Sequence, residues 1–485
     1  MTLLNYRSVT AGVALLAAIA LSFQGSLAIG LAEAEAVAAW QFIATMAFIC
    51  ITASVLHRTA IHPYVLMSLT ACLFLGGRFL TWAVGFGQPV FFDNSFRTID
   101  LSGHEAMELM SFVTPAFLAL HAGYMAFWAT RPRQAAVDGA APLPTPFEKT
   151  LAYPAILLLL IAIPLAIQGV GSQFAACFAG DYLSVYAQSG EFATRSVSIS
   201  QYALLLSIGL AFASRNKWVE IATVLALGIF SLASFGLGIR SGFLAFILLA
   251  TWLVHKRIRR LNVVTVLIVP AIAVVLAQGA GAFSCRTSMI ASEEIASNLG
   301  SRAQHFSQSL VPEKLLAFTY SQGTSLLSVQ VASTVPDYPW QAYVQTVLPG
   351  FGAAASLIGS PIALSDLYFG QYMAKQWMPD RYERGEGFGW SLVSDLIVFS
   401  GHNHALIIAF AMVLGAAFAL LISAASSSAL WFGALVLLVP KFMLLPRAGL
   451  YSIFPYLTTF LLGVAGWWLL IQILQAGRAR LSSAR

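Results

Sequence analysis

The stretch Gly387-Phe388-Gly389-Trp390-Ser391-Leu392-Val393-Ser394-Asp395-Leu396-Ile397-Val398-Phe399-Ser400-Gly401, followed by His402-Asn403-His404, holds the groups best suited to moving a proton. Ser391 and Asp395 are four residues apart, so a helix puts them on one face. The apolar neighbours of Asp395 would raise its pKa toward that of a general base at neutral pH. The alternative is a carboxylate that caps a helix or pairs with Arg381 or Arg384. His402 and His404 are further candidates for a base, and each also reads as a hydrogen-bonded histidine beside an interface.

Three arginines suit anions. Arg240 stands in Gly236-Leu237-Gly238-Ile239-Arg240-Ser241-Gly242 between two apolar runs, as a cation for an anionic lipid headgroup or as an interfacial anchor. Arg447, in Pro446-Arg447-Ala448-Gly449, joins the last two apolar runs. A diphosphate offers several oxygens that guanidinium forks match bidentately, so both turns can face phosphate; the alternative is two independent anchors. Arg78 lies inside an apolar run and needs a partner or a wet cavity, with Asp93, Asp100 or Glu105 nearby. It reads as half of a structural ion pair or as a catalytic group.

Other chemistry lacks its motifs. The sequence has no P-loop, no dinucleotide glycine pattern, no HExxH or CxxC spacing and no paired acidic motif for holding a divalent metal beside a diphosphate. A metal-free, cofactor-free reaction is expected. No Lys/Arg run is interleaved with aromatics, so the net charge of +6 does not point to nucleic acid.

The elements that must position these groups are membrane helices. With 59% hydrophobic and only 9% charged residues, 485 residues cannot cover a water-facing surface. The expected fold is an all-α polytopic membrane protein of about 12 transmembrane helices, at 9–32, 37–57, 63–86, 105–129, 150–170, 198–214, 218–239, 241–255, 261–280, 402–424, 428–446 and 450–475. The stretch after Arg7 imitates a signal peptide, but its apolar run is long for one and reads as an uncleaved first span.

Basic residues set orientation. With the N-terminus inside, the inner segments hold Arg7, Arg58, Arg131, Arg133, Lys149, Arg215, Lys217, the Lys256–Arg260 cluster and the tail with Arg478, Arg480 and Arg485. Both termini are then cytoplasmic, and residues 281–401 form one large outer loop between the helices of 1–280 and those of 402–485. Prolines 312, 336, 339, 349, 361 and 379 divide that loop into short helices and turns. Residues 130–149 read as an inner linker, and 171–197 as an outer segment that can lie on the membrane surface. Cys50 and Cys72 read as packed thiols; Cys177 and Cys285 both fall outside, as a disulfide or as two free thiols.

Gly-x-Gly-x-Ser-x-x-x-Asp with a glycine six residues on, entering a span, resembles the signature of the Wzy-type oligosaccharide repeat-unit polymerases. Ser325–Val329, Val335-Pro336-Asp337-Tyr338-Pro339-Trp340, Val347-Leu348-Pro349-Gly350, the Arg-Ser-Gly of Arg240 and the Arg447 turn look like the same family, over roughly 230–470. The family commonly carries Glu where Asp395 stands, and Asn-Phe-Gly where this chain has Phe399-Ser400-Gly401. The resemblance implies a GT-C type glycosyltransferase of the bacterial inner membrane with its active site facing the periplasm. It would transfer a growing glycan from undecaprenyl diphosphate to the non-reducing end of a lipid-linked repeat unit. Its implied partners are the undecaprenyl-diphosphate-linked oligosaccharide donor and acceptor, membrane lipid and a chain-length-regulating co-polymerase. Asp395, His402 or His404 would be the base, Arg240 and Arg447 the diphosphate cations, and Ser391, Arg384 and Trp390 the substrate loop.

Two other functions compete. His402-Asn403 with Leu406 resembles the His-Asn motif of O-antigen ligases, which hand a finished glycan to lipid A core, although the following glycine is out of step. A lipid-linked oligosaccharide flippase or transporter also suits twelve spans, but the chain shows no internal repeat. The orientation has its own test. A cysteine at Ser321 should react with an impermeant maleimide in intact spheroplasts; reaction only after lysis contradicts the topology.

Overall fold

A helix that is apolar all round must lie in lipid or in a protein interior. Most long helices here are of that kind. The computed structural model describes residues 3–23, 34–84, 103–131, 143–179, 191–237, 240–258, 260–261, 312–335, 337–348, 350–383 and 389–483. Among these residues the protein is helix and turn, with no strand. The expected span at 261–280, Arg384 and Cys285 lie outside the described residues, as do the side chains of Arg240 and Cys177.

The first half contains α1 (Leu3–Ser22), α2 (Ala34–His57), α3 (Pro63–Phe74), α4 (Gly77–Ala83), α5 (Gly103–Ala129), α6 (Pro146–Thr150), α7 (Ala152–Ala179), α8 (Glu191–Ser214), α9 (Lys217–Gly236) and α10 (Arg240–Arg257). Short helices follow: α11 (Pro312–Gln322), α12 (Ser325–Thr334), α13 (Trp340–Val347), α14 (Phe351–Leu357), α15 (Leu364–Leu367), α16 (Phe369–Trp377), α17 (Pro379–Glu383) and α18 (Leu392–Ser400). Three long ones close the chain: α19 (His404–Ala425), α20 (Ala429–Ala448) and α21 (Phe454–Ser483).

This is an all-α polytopic membrane protein. Eight of its described segments are long and apolar enough to cross a bilayer: Ala36–His57, Met107–Ala129, Pro146–Ala175, Ser196–Ser214, Lys217–Gly236, His404–Ala425, Ala429–Ala448 and Leu450–Gly477. The first expected span is represented by a shorter apolar stretch, Tyr6–Ser22. Helix α10 covers the eighth but includes Arg240, Lys256 and Arg257. The third expected span is broken into α3 and α4 at Leu75 and Gly76. Gly76 and Gly77 explain the break. A Cβ at Gly76 would strike the Phe42 ring, and one at Gly77 would strike the Thr319 carbonyl. Hydropathy cannot register such a close approach.

The spans on α5, α8 and α20 form the hub, with 94%, 72% and 78% of their most apolar stretches buried, whereas the one on α21 is 11% buried and faces outward. Small residues let the hub close. Gly123 lies against the Met412 carbonyl and Gly415 against that of Leu120, joining α5 to α19; Gly433 lies against the Gly209 carbonyl, joining α20 to α8.

The two ends of the bundle differ. At one end an Arg7 Nη1–H donates to the carbonyls of Trp128 (2.7 Å) and Arg131 (3.1 Å). There too Arg257 donates bidentately to Glu220, at 3.1 and 3.2 Å. At that end the rings of His57 and His62 stack with centroids 3.6 Å apart. The opposite end carries α18, with α12, α13 and α16 against it. Cys50 and Cys72 are free thiols, partly buried.

The glycine contacts are testable. Gly415→Leu drives a side chain into backbone that cannot step aside, and should destabilise the folded protein by about 3 kcal/mol. The unfolding midpoint in detergent should fall well below that of Gly463→Leu, whose position has open space around it. Equal midpoints contradict the packing.

Candidate active site

Helix α18 begins where Ser391 leaves the extended conformation and its Oγ accepts the Ser394 N–H at 3.0 Å. It ends on Gly401, at φ +57, where only glycine is unstrained. Between these caps every side chain except Phe399 is buried. A chain of hydroxyls ties the helix to α12: Ser391 Oγ lies 2.6 Å from Ser394 Oγ, which lies 3.0 Å from Ser328 Oγ.

Asp395, one turn into α18, is 1% exposed. Its carboxylate is not left unpaired. The Trp390 indole N–H donates to Oδ1 at 2.6 Å, and the Leu450 backbone N–H donates to Oδ2. The second donor comes from the turn between α20 and α21, 55 residues away in sequence. Gly449, at φ +72, makes that approach possible, because a Cβ there would collide with Asp395 Oδ2 and Trp390 Cδ1. Burial pushes the carboxyl up to about 7, and the two donors pull the other way. Such a group exchanges a proton near neutrality.

The carboxylate borders a cavity of about 310 Å³, lined by Thr346, Tyr368, Phe369, Gly370, Gln371, Trp390, Asp395, Ala448 and Tyr451. Four aromatic rings form much of its wall. Trp390 stacks on Phe369 with centroids 5.6 Å apart, and Tyr451 meets Tyr368 edge-on at 4.8 Å. The Tyr451 hydroxyl donates to the Tyr368 hydroxyl at 3.2 Å. A Gln345 Nε2–H also donates to Tyr368 at 3.3 Å, while Gln345 Oε1 accepts the Gly352 N–H at 3.0 Å. Flat apolar faces with a few fixed polar groups suit a sugar ring.

The residues singled out in sequence separate here. Asp395 and Trp390 meet in the cavity, whereas Ser391 is 0% exposed and its hydroxyl is used as the helix cap. His402 adopts φ +66 and places Nε2 2.9 Å from the Ala332 carbonyl, which fixes the proton on that nitrogen. His404 opens α19 with its ring stacked on Phe112 at 4.6 Å. Arg447 directly precedes the cavity residue Ala448, but its exposed guanidinium lies 5.3 Å over the Phe74 ring, with Nη1 donating to Gln322 Oε1 at 3.4 Å. Arg78 is 4% exposed and lies 5.0 Å over the Tyr320 ring; its expected partners Asp93, Asp100 and the Glu105 side chain are outside the described residues.

Sequence reasoning missed Tyr368, Tyr451, Gly449 and the Leu450 N–H. The turn Gly449-Leu450-Tyr451 follows Arg447 directly, so an aromatic beside a positive-φ glycine was a usable signal. Tyr368 had none.

Trp390→Phe keeps the ring and removes its N–H. The neutral acid is then relatively favoured, so the titration midpoint of Asp395 should rise by about one unit. The infrared band of the protonated carboxyl, assigned by its loss in Asp395→Asn, follows the change. An unmoved midpoint contradicts the indole's role.

Comparison with known proteins completes the site. No curated protein and no solved structure matches the chain significantly. The family described as "O-antigen polysaccharide polymerase Wzy" matches residues 13–476, a stretch that contains Asp395, the Arg447 turn and, but for Gly477 at the end of the last, all eight span-length segments. The chain therefore belongs to the Wzy O-antigen polysaccharide polymerase family.

Proposed function

We propose that the protein polymerises undecaprenyl-diphosphate-linked oligosaccharide repeat units at the periplasmic face of the inner membrane, by direct, inverting, metal-independent glycosyl transfer. The observation that carries this reading is the buried Asp395 carboxylate, poised near neutrality, opening on an aromatic cavity at one end of a membrane bundle. In this reading that end faces the periplasm, and both termini face the cytoplasm.

The acceptor's non-reducing sugar enters the cavity with a ring face against the aromatic wall. Asp395 takes the proton from its hydroxyl. The freed oxygen attacks the donor's anomeric carbon, and the bond from that carbon to the diphosphate oxygen breaks, its electron pair leaving with the diphosphate. Attack from the face opposite the leaving group inverts the anomeric carbon. Each carboxylate oxygen accepts one protein donor and still has a lone pair, so Asp395 can receive a substrate proton without losing its anchors. Arg240 at the start of α10 and Arg447 at the end of α20 are the diphosphate cations of this reading, with Arg384 in the substrate loop. A chain-length-regulating co-polymerase is the expected protein partner. Asp395 lines the cavity whereas His402 and His404 do not, which supports Asp395 over histidine as base, and hence polymerase over ligase.

Purified protein supplied with synthetic lipid-diphosphate repeat units should make a polysaccharide ladder. Asp395→Asn should reduce it by roughly 10²–10⁴ in rate. Arg240→Ala and Arg447→Ala should each cost about 10²–10³, and Lys should restore little, because the fork is lost. Activity should survive EDTA. An active Asp395→Asn beside a dead His402→Ala would move the role to histidine. Loss in EDTA with recovery on added metal would refute the metal-free step.

A further inference from the structure

The polar groups around the Asp395 cavity differ in what they still have to offer. The Trp390 N–H is spent on Asp395, and the Thr346 hydroxyl proton on the Ala342 carbonyl at 2.8 Å. Neither has a proton left for a ligand. Asp395, once ionised, only accepts. A sugar held by that carboxylate alone can pivot about it. A second polar contact, of the opposite sense, decides which of its hydroxyls meets the base.

Tyr368 can make that contact. It stands between α15 and α16 on an extended stretch of backbone, and its hydroxyl meets two other side chains. The Gly352 N–H donates to Gln345 Oε1 at 3.0 Å, which settles how that amide lies: its Nε2–H must face Tyr368, 3.3 Å away. Gln345 is buried and cannot turn over without leaving the Gly352 N–H unpaired. The Tyr451 hydroxyl donates to the same phenolic oxygen at 3.2 Å. A hydroxyl oxygen has two lone pairs and one proton. Both lone pairs of Tyr368 are therefore engaged, and among the described residues it makes no further hydrogen bond. What remains is its proton, at the cavity wall. Tyr451 directly follows Leu450, whose N–H holds Asp395. One turn thus positions both the group that accepts a proton and the group that offers one.

We propose that Tyr368 is a specificity-determining residue, which donates its phenolic proton to a hydroxyl oxygen of the terminal acceptor sugar other than the one Asp395 deprotonates. Gln345 is the positioning residue that keeps this proton turned toward the cavity. The inference rests on the polymerase reading for the identity of the ligand. The site then selects a sugar that carries both hydroxyls at the right spacing. A sugar deoxygenated at the second position leaves the phenolic proton unpaired and is rejected.

The test is a cycle of protein variants against ligand analogues. Detergent-purified full-length protein is titrated with a synthetic lipid-diphosphate repeat unit and with analogues that each lack one hydroxyl of its terminal sugar. Wild type should bind one analogue, deoxygenated away from the attacking position, about five- to tenfold more weakly than the parent. Tyr368→Phe should bind the parent that much more weakly and make no distinction between it and this analogue. Tyr451→Phe should keep the distinction, since Tyr368 retains its proton. Gln345→Glu, above neutral pH, should lose it: a carboxylate cannot donate to Tyr368 and instead draws the phenolic proton inward. Unfolding midpoints report the folding of each variant. A folded Tyr368→Phe protein that still discriminates as wild type overturns the proposal, and loss of discrimination in Tyr451→Phe alone overturns the assignment to Tyr368. If a ladder forms but no analogue is coupled to Tyr368, the inference fails and the polymerase reading stands. Coupled binding without any ladder overturns the polymerase reading and leaves the phenolic donor standing.

Discussion

A carboxylate removed from water is the constraint on which this structure depends. An ionised Asp395 with no partners would cost several kcal/mol or more to bury, and would simply stay protonated. Two donors prevent that, and each dictates local structure. The indole requires Trp390 to lie flat beside α18, which the stack on Phe369 ensures. The Leu450 N–H requires the α20–α21 turn to press against α18, which Gly449 alone permits. The balance leaves the acid near neutral, where it can both take and release a proton.

The long helices serve that balance from a distance. The α5 and α19 backbones meet through Gly123 and Gly415, and α8 and α20 through Gly209 and Gly433, so the hub sets where α20 ends and therefore where Leu450 points its N–H. The serine chain from Ser328 to Ser391 fixes α18 against α12 with hydroxyls instead of charges. Such satisfied polar contacts define one arrangement in an interior where apolar packing alone would tolerate several. The outward-facing helices α7 and α21 contribute apolar surface to the lipid.

The sequence made part of this legible. Asp395, Trp390 and the capped α18 lie within a dozen residues, and local spacing suffices to relate them. The helical class followed from charge content and run length. The short helices after residue 312 followed partly from prolines: Pro312 and Pro379 start helices and Pro339 caps one. What remained hidden is long-range. Neither the 55-residue reach from Leu450 to Asp395 nor the meeting of Tyr368 with Tyr451 leaves a periodic trace. The break at Gly76 sits in a run that hydropathy reads as continuous, because a glycine chosen for close approach is indistinguishable there from one that is merely apolar. Arg447 reads in sequence as a diphosphate cation or an anchor, yet the neighbours in its turn, not its own guanidinium, border the cavity.

The most direct measurement is an electron cryomicroscopy structure of the wild-type protein holding a lipid-linked acceptor whose donor partner is absent. The account places the attacking hydroxyl of the terminal sugar within about 2.6–3.2 Å of an Asp395 carboxylate oxygen, with a ring face on the aromatic wall and the Trp390 and Leu450 donors retained. A terminal sugar seated beside His402 or His404, out of hydrogen-bond reach of Asp395, would contradict it.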